Sequence, residues 1–243
     1  MHKKIFVALL CSLAMSSAHA ARVASGLSSR SLGGSNSLGL GFSVVTAGQN
    51  DLNNVIDANN YANSASTKNL GSAYEFYANW IYRFDASSVA FVLRPSYFTQ
   101  SETGSGSGGS YDYKLTGFTV FPIIRVYPLE SPFIHFFMQA GVGYGSLNGD
   151  ITAGANSVKF NGNAFGAMGG IGVDFCFTES HCLSIEGNLR YLPIERNIAQ
   201  GTCANAISGI SQCIDGKEVE TSGTDLRTTM SGVQGLVGYT MNF

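Results

Sequence analysis

The sequence predicts an all-β fold, an eight-stranded antiparallel up-and-down transmembrane β-barrel, on three observations. Apolar residues recur at every second position in eight separate segments. The connections between those segments alternate strictly between short and long. Charged residues make up only 12% of the chain, with 30 glycines, 16 Phe and 11 Tyr, about half the charge usual for a soluble domain. No window approaches the ~20 consecutive apolar residues of a membrane helix. A transmembrane barrel instead spreads its hydrophobicity over alternate positions.

The chain opens on Met1-His-Lys-Lys4, a basic stretch, followed by a short apolar core from Ile5 to Met15 and the small-x-small pattern Ala18-His-Ala20. These are the three parts of an export signal, with cleavage expected after Ala20. The apolar run is too short to anchor a helix in a bilayer, and the large Leu10 before Cys11 argues against a lipoprotein. Removing residues 1–20 leaves twelve basic and sixteen acidic residues, a net of −4. No basic patch points to nucleic acid. Residues 21–36 are Ser/Gly-rich and read as a flexible lead-in, so the barrel is expected over 37–243.

Each segment alternates with the strand period of two. The first is Leu38 to Thr46. In the second, Tyr74 to Phe84, Tyr74, Phe76, Trp80 and Tyr82 share one face, and Glu75, Tyr77, Asn79 and Arg83 the other. In the third, Phe91, Leu93, Pro95 and Tyr97 oppose Val92, Arg94, Ser96 and Phe98. The fourth runs from Lys114 to Tyr127, where Arg125 and Lys114 have opposite parity. Either Lys114 lies above the membrane, the favoured reading, or a bulge near Gly117 resets the register. The fifth carries Ile134, Phe136, Met138 and Tyr144 against His135 and Gln139. The sixth sets Ile171, Val173 and Phe175 against Asp174, and the seventh Leu183, Ile185 and Leu189 against Glu186 and Arg190. The eighth is Leu226 to Phe243.

Asp85–Ser88, Pro128–Pro132 and Thr178–Cys182 join strands by four or five residues. The stretches 47–70, 101–110, 146–158 and 193–225 are polar loops of ten residues or more. Such sorting is expected when one barrel end carries tight periplasmic turns and the other long external loops. It also bears on which face points out. A soluble lipocalin-type barrel buries the apolar face, whereas a transmembrane barrel exposes it to lipid. Glu75, Arg83, Arg94, Arg125, Asp174, Glu186 and Arg190 all fall opposite the aromatics, which favours the transmembrane arrangement. His135 shares that interior face as a partner for a carboxylate such as Asp174.

Phe121-Pro-Ile-Ile-Arg-Val-Tyr127, a short turn and Phe133-Ile-His-Phe-Phe-Met-Gln-Ala-Gly-Val-Gly-Tyr144 resemble the central hairpin of small outer-membrane β-barrel proteins of the OmpA and OmpX type. Leu183 to Tyr191 fits the same pattern. The last strand, through Gly238, Tyr239, Met241 and Phe243, resembles the terminal assembly signal of that family. The resemblance implies insertion in the outer membrane among lipid and lipopolysaccharide, and handling by periplasmic chaperones and the barrel-assembly machinery.

Four cysteines remain after cleavage, in the close pairs Cys176/Cys182 and Cys203/Cys213. The pairs are expected on opposite sides of the membrane, which favours local disulfides over cross-pairing. A metal site is the alternative, but only His181 lies near enough to add a ligand. No cofactor is implied. A hydrolase or acyltransferase needs a nucleophile beside a histidine, and His135 and His181 both fall at the periplasmic end, so no catalytic residue is assigned. The interior of eight strands is just wide enough to be filled by side chains, so a sealed barrel is favoured over a narrow conduit. Loop 193–225, with a net charge of −3, is the candidate surface for an unknown extracellular partner. The expected function is therefore structural or surface-interacting. The alternatives are a narrow channel or transporter for small or hydrophobic compounds, as in the OmpW type, and more remotely a lipid-modifying enzyme.

Overall fold

Tyr144 and Ser146 are neighbours on one face of the same strand, yet the outer wall changes character between them. Below that boundary the outward positions Met138, Ala140, Val142 and Tyr144 are apolar; above it Ser146, Asn148 and Asp150 are polar. The inward face changes in the opposite sense, from the polar Gln139 to the buried Leu147 and Ile151. The computed structural model, which describes residues 35–243 apart from 86 and 204–206, repeats this reversal around a ring of strands.

Eight long strands form the ring: β1 (Ser35–Val45), β2 (Ala73–Arg83), β3 (Val89–Gly106), β4 (Gly109–Glu130), β5 (Ile134–Ala153), β6 (Asn156–Thr178), β7 (His181–Tyr191) and β8 (Gly232–Asn242). Each pairs antiparallel with its neighbour in sequence, and β1 closes on β8 from Ser37↔Asn242 to Val45↔Gln234. A three-residue strand, Asn197–Ala199, adds to the upper part of β6. The export signal and residues 21–34 lie outside the described residues. Ser35 and Asn36, expected in the lead-in, already belong to β1, and β8 begins at Gly232 rather than Leu226.

The stretches 101–110 and 146–158 are not loops. β3 and β4 continue through them to a two-residue turn at Ser107–Gly108, and β5 and β6 to a turn at Gly154–Ala155. At 18, 22, 20 and 23 residues, these strands are about twice what a bilayer crossing requires, ~9–11 residues. Gly154, with φ of 61°, and Gly109, with φ of 115°, supply the left-handed backbone that such tight turns demand. The β3–β4 register runs unbroken from Val89↔Val126 to Gly106↔Gly109. No bulge occurs at Gly117, and Lys114 lies on the outward face above the apolar belt; the one register shift of β4 falls between Val126 and Leu129, on its β5 side.

β1, β2, β7 and β8 have 11 residues each, so the barrel wall is tall on one side and short on the other. The missing upper wall is supplied by the connection 46–72 and by residues 192–231. The first contains a helix, α1 (Asn50–Asn63), which the sequence reading did not anticipate. Leu52, Val55, Ile56 and Asn59 fall at helical spacing and are buried. The asparagines that weaken its intrinsic propensity bond to the returning chain. Asn53 brackets Leu70 through both amide atoms (3.1 and 2.8 Å) and Asn60 brackets Thr67 (2.9 and 3.1 Å). Asn59 Nδ2 donates to Ser208 O at 2.9 Å, tying α1 to the last connection. Gln49 joins Gln100 and Thr229 just below.

Below this head, the outer wall carries an apolar belt. Phe165 is 82% and Leu189 67% exposed, an arrangement stable only where lipid is the solvent. Aromatic residues mark its two edges: Phe76, Tyr97, Phe118, Tyr144 and Phe165 above, Tyr82, Phe133, Phe177, Tyr239 and Phe243 below.

Candidate functional site

Inside the belt, the period of two turns every second residue inward, and the inward set is polar and charged. Glu186 of β7 is its hub. Arg94 Nη2 of β3 donates to both carboxylate oxygens at 2.9 and 2.8 Å, Arg125 Nη2 of β4 to Oε1 at 3.0 Å, and Gln139 Nε2 of β5 to Oε2 at 2.7 Å. Gln139 Oε1 in turn accepts from Arg125 Nε and Nη2 at 3.1 and 2.9 Å, and Asn79 Oδ1 of β2 accepts from Arg94 Nε at 2.7 Å. Side chains of three other strands therefore meet at this one carboxylate of β7, and Asn79 of β2 joins them through Arg94.

A second cluster lies around Glu75. Arg190 Nη1 donates to it at 2.6 Å, Ser96 Oγ at 2.8 Å, Gln234 Nε2 at 2.7 Å and Ser43 Oγ at 3.3 Å. Arg190 Nε also donates to Met230 O at 2.6 Å. Arg94, Arg125 and Arg190 thus face Glu75, Asp174 and Glu186 in equal number. Charges so far from water are tolerated only when paired, and here each has an opposite charge within 4.0 Å. The same groups fill the cross-section. Arg125, whose guanidinium lies 3.7 Å from the Phe137 ring centroid, is 1% exposed and Glu186 3%. Gly41 and Gly238 face each other in the β1–β8 pair, and a Cβ on either would meet the Tyr77 hydroxyl. Those two glycines admit the Tyr77 ring to the lumen.

Two predicted interior residues have different roles. Arg83 points inward but sits at the lower rim, where it donates to Glu130 at 2.6 Å and covers the Tyr127 ring at 4.7 Å. His135 is opposite Asp174 in register, and the carboxylate has other partners besides. Asp174 accepts from Ser184 Oγ at 2.5 Å and approaches Arg125 Nη1 at 4.0 Å. His135 also lies against the Tyr127 ring, with Nδ1 3.7 Å from Cys176 Sγ.

Cys176 is bridged to Cys182 across the β6–β7 hairpin at its turn end, and Cys203 to Cys213 within the last connection at the opposite end. Among the described residues, no group of three His, Cys, Asp or Glu side chains is arranged to hold a metal. His181 stacks on Tyr239, whose hydroxyl lies 2.5 Å from its Nδ1. Of the terminal strand's signal residues, Tyr239, Met241 and Phe243 face outward and Gly238 inward. Phe243 and Asn36 exchange backbone hydrogen bonds of 3.0 and 3.3 Å at the seam.

Above the hub the lumen becomes an apolar core. Leu115, Leu147, Ile151 and Phe160 from the tall strands pack with Leu52 and Ile56 of α1 and with Leu192, Val219 and Leu226 of the last connection. A Cβ at Gly149 would strike the Phe160 ring, so that glycine makes the room the ring occupies. Loop 193–225 is folded against this core. It carries the pair Arg196–Glu218, Glu195 pairs with Arg227 just beyond it at 3.4 Å, and Asp215 Oδ1 accepts from Gly201 N at 2.8 Å.

A closed antiparallel ring of eight strands, with an apolar outer belt and a polar interior, defines the class: a small β-barrel of the outer-membrane type. A solved structure agrees. OprG of Pseudomonas aeruginosa superposes with a TM-score of 0.55 over 87% of this chain and 96% of its own, at 16% identity. The N-terminal β-barrel domain of Pseudomonas aeruginosa OprF gives 0.43 over 86% and 99% at 12% identity. Ail, the attachment invasion locus protein of Yersinia pestis, gives 0.44 over 87% and 99% at 10% identity. At these identities the shared property is the fold, and the OprG superposition carries it. No protein-family model and no curated protein sequence matches the chain.

Proposed function

We propose that the protein is a sealed barrel of the outer membrane whose function is to hold a folded external head as an interaction surface. The observation that carries this reading is the interior itself, ionic at membrane level and apolar above, filled at both. Binding residues concentrate on connections held by a rigid scaffold, and this head is braced by four tall strands, α1 and the Cys203–Cys213 bridge. Its partner is extracellular and bound through loop 193–225. Lipopolysaccharide and lipid surround the belt, and export, cleavage after Ala20 and delivery by periplasmic chaperones to the assembly machinery precede insertion. No catalytic role is assigned.

Planar-bilayer recording tests the seal. No discrete conductance steps are expected from the intact protein; steps abolished by Arg94→Ala would overturn the reading. Deleting residues 200–216 is expected to leave the heat-dependent mobility shift of a folded barrel intact while abolishing adhesion of the parent protein to its target surface.

A second reading has its own observation. Pro95 and Pro122 lack the N–H that a ladder needs. The β2–β3 pairing skips from Tyr77↔Ser96 to Trp80↔Leu93, and β4–β5 from Val120↔Tyr144 to Ile123↔Gly141. Two lapses in the hydrogen-bond ladder at belt level, with the register unbroken, would suit lateral passage of a hydrophobic compound. Uptake of such a compound by protein-loaded liposomes, lost in Pro95→Val/Pro122→Val, would favour this reading over the sealed one.

A further inference from the structure

Cys176 and Cys182 are directly opposed in the β6–β7 pair, and their side chains face the lumen with only 6% and 3% exposure. Part of what covers them lies on neither strand of their hairpin. His135 Nδ1, from β5, is 3.7 Å from Cys176 Sγ. Asn242 Nδ2, from β8, is 3.7 Å from Cys182 Sγ, and Thr240 of β8 is the register partner of Cys182. Asn242 is itself fixed by bonds to the β6–β7 turn, its N to Ser180 O at 2.8 Å and its Nδ2 to Glu179 O at 3.1 Å. Once β8 is in place, the sulfurs are enclosed on both flanks.

Disulfides form by thiolate attack through a mixed disulfide, which requires the oxidant's own sulfur to reach the cysteine. A protein-sized oxidant has no such access in the closed ring. We infer that Cys176–Cys182 is oxidised on the open chain, before β8 closes against β1, by a periplasmic protein of the thiol–disulfide oxidoreductase class. The thiolate of one cysteine attacks the oxidant's disulfide and forms a mixed disulfide, releasing one oxidant thiolate. The second cysteine's thiolate then attacks the mixed disulfide, making the Cys176–Cys182 bond and expelling the other oxidant thiolate. Two electrons pass to the oxidoreductase, and the two protons lost by the cysteines balance those its dithiol takes up.

The order matters for register. The β6–β7 pairing is irregular just beyond this bridge, between Cys176 and Thr178. A one-residue slip of β7 against β6 there would turn Glu186 and Arg190 to the lipid face. A hairpin already stapled presents Glu186 inward before Arg94 and Arg125 arrive.

The inference rests on export to an oxidising compartment but not on the interaction role of the head. It is tested on the purified oxidised protein, folded in detergent micelles, with reduced thioredoxin as the probe. Each cysteine is then alkylated and counted by peptide mass. The lumen bridge is expected to open at least about tenfold more slowly than in the same protein unfolded in urea, since access limits exchange. A folded-state rate within about tenfold of the unfolded one overturns the inference. In the forward direction, Cys203→Ser/Cys213→Ser is refolded with its remaining pair reduced and offered oxidised thioredoxin. Oxidation as fast as in the unfolded chain again overturns it. Resistance supports it, as does failure of the reduced chain to close, because closure then requires the bridge.

Discussion

The membrane half and the external half of this barrel are built from the same strands and obey opposite rules. Along β5, Met138 and Val142 face out and Gln139 in; eight residues on from Gln139, Leu147 faces in while Asn148 faces out. The pleat is unchanged and only the surroundings differ, lipid below and water above. Polarity relative to the axis is therefore set by solvent, not by the strand. The lower half is held by directional contacts converging on Glu186 and Glu75, the upper half by burial of apolar side chains around α1.

That contrast breaks first, and by most, at the hub. Glu186→Ala leaves Arg94 and Arg125 buried without their shared carboxylate, and removing one partner of such a group costs about 3–5 kcal/mol. The expected result is a lowered urea midpoint for loss of the heat-modifiable form, with Glu186→Gln affected less. An unchanged midpoint for the alanine variant would mean the hub is not what holds the lower half. The corresponding change above is Leu147→Ala, at a cost of about 2–5 kcal/mol from the lost side chain and the cavity. Here protease cleavage within 193–225 should rise while the belt-level barrel stays folded in micelles. Simultaneous loss of both would show that the halves unfold as one.

The lipid face separates the halves by position alone. Ile124 and Lys114 lie on one face of β4, ten residues apart. Ile124→Arg is expected to cost about 2–4 kcal/mol near the midplane, read as slower folding into vesicles, whereas Lys114→Leu should change little. Equal effects would place the belt elsewhere. The smallest effect is alkaline. Burial pushes the Tyr113 phenol, in the external core, up to about 12. The unfolded phenol ionises near pH 10, so the contribution present below pH 10 is lost as pH rises from 10 towards 12. Tyr113→Phe should flatten that part of the stability profile, followed by cleavage of the head and by phenolate absorbance.

The wall was legible because its alternation pairs large apolar with polar residues and its turns are short. Lys114 and Arg125, of opposite parity, already announced the reversal, since one regular strand carries a charge outward only beyond the lipid. The upper hairpins were hidden by composition. Gly104-Ser-Gly-Ser-Gly-Gly109 has little strand propensity, although Leu147, Ile151, Val158 and Phe160 kept the period of two. Helix α1 was masked by asparagines whose role is to bond the returning chain. Glu186 was correctly placed inside, but nothing in a linear pattern ranks it above Asp174 as the hub. That depends on which strands face each other across the ring.

The unequal strand lengths also set a height. From Tyr97 at the edge of the belt, β3 climbs nine residues to Gly106, about 30 Å along the strand and on the order of 20–25 Å along the barrel axis after tilt. The crest at Ser107–Gly108 and Gly154–Ala155 therefore stands well clear of the headgroups, and the end of α1 reaches the same height, where Asn63 O accepts from Ser107 N at 2.9 Å. On a cell coated with long saccharide chains, that shared crest is the part an approaching macromolecule meets first.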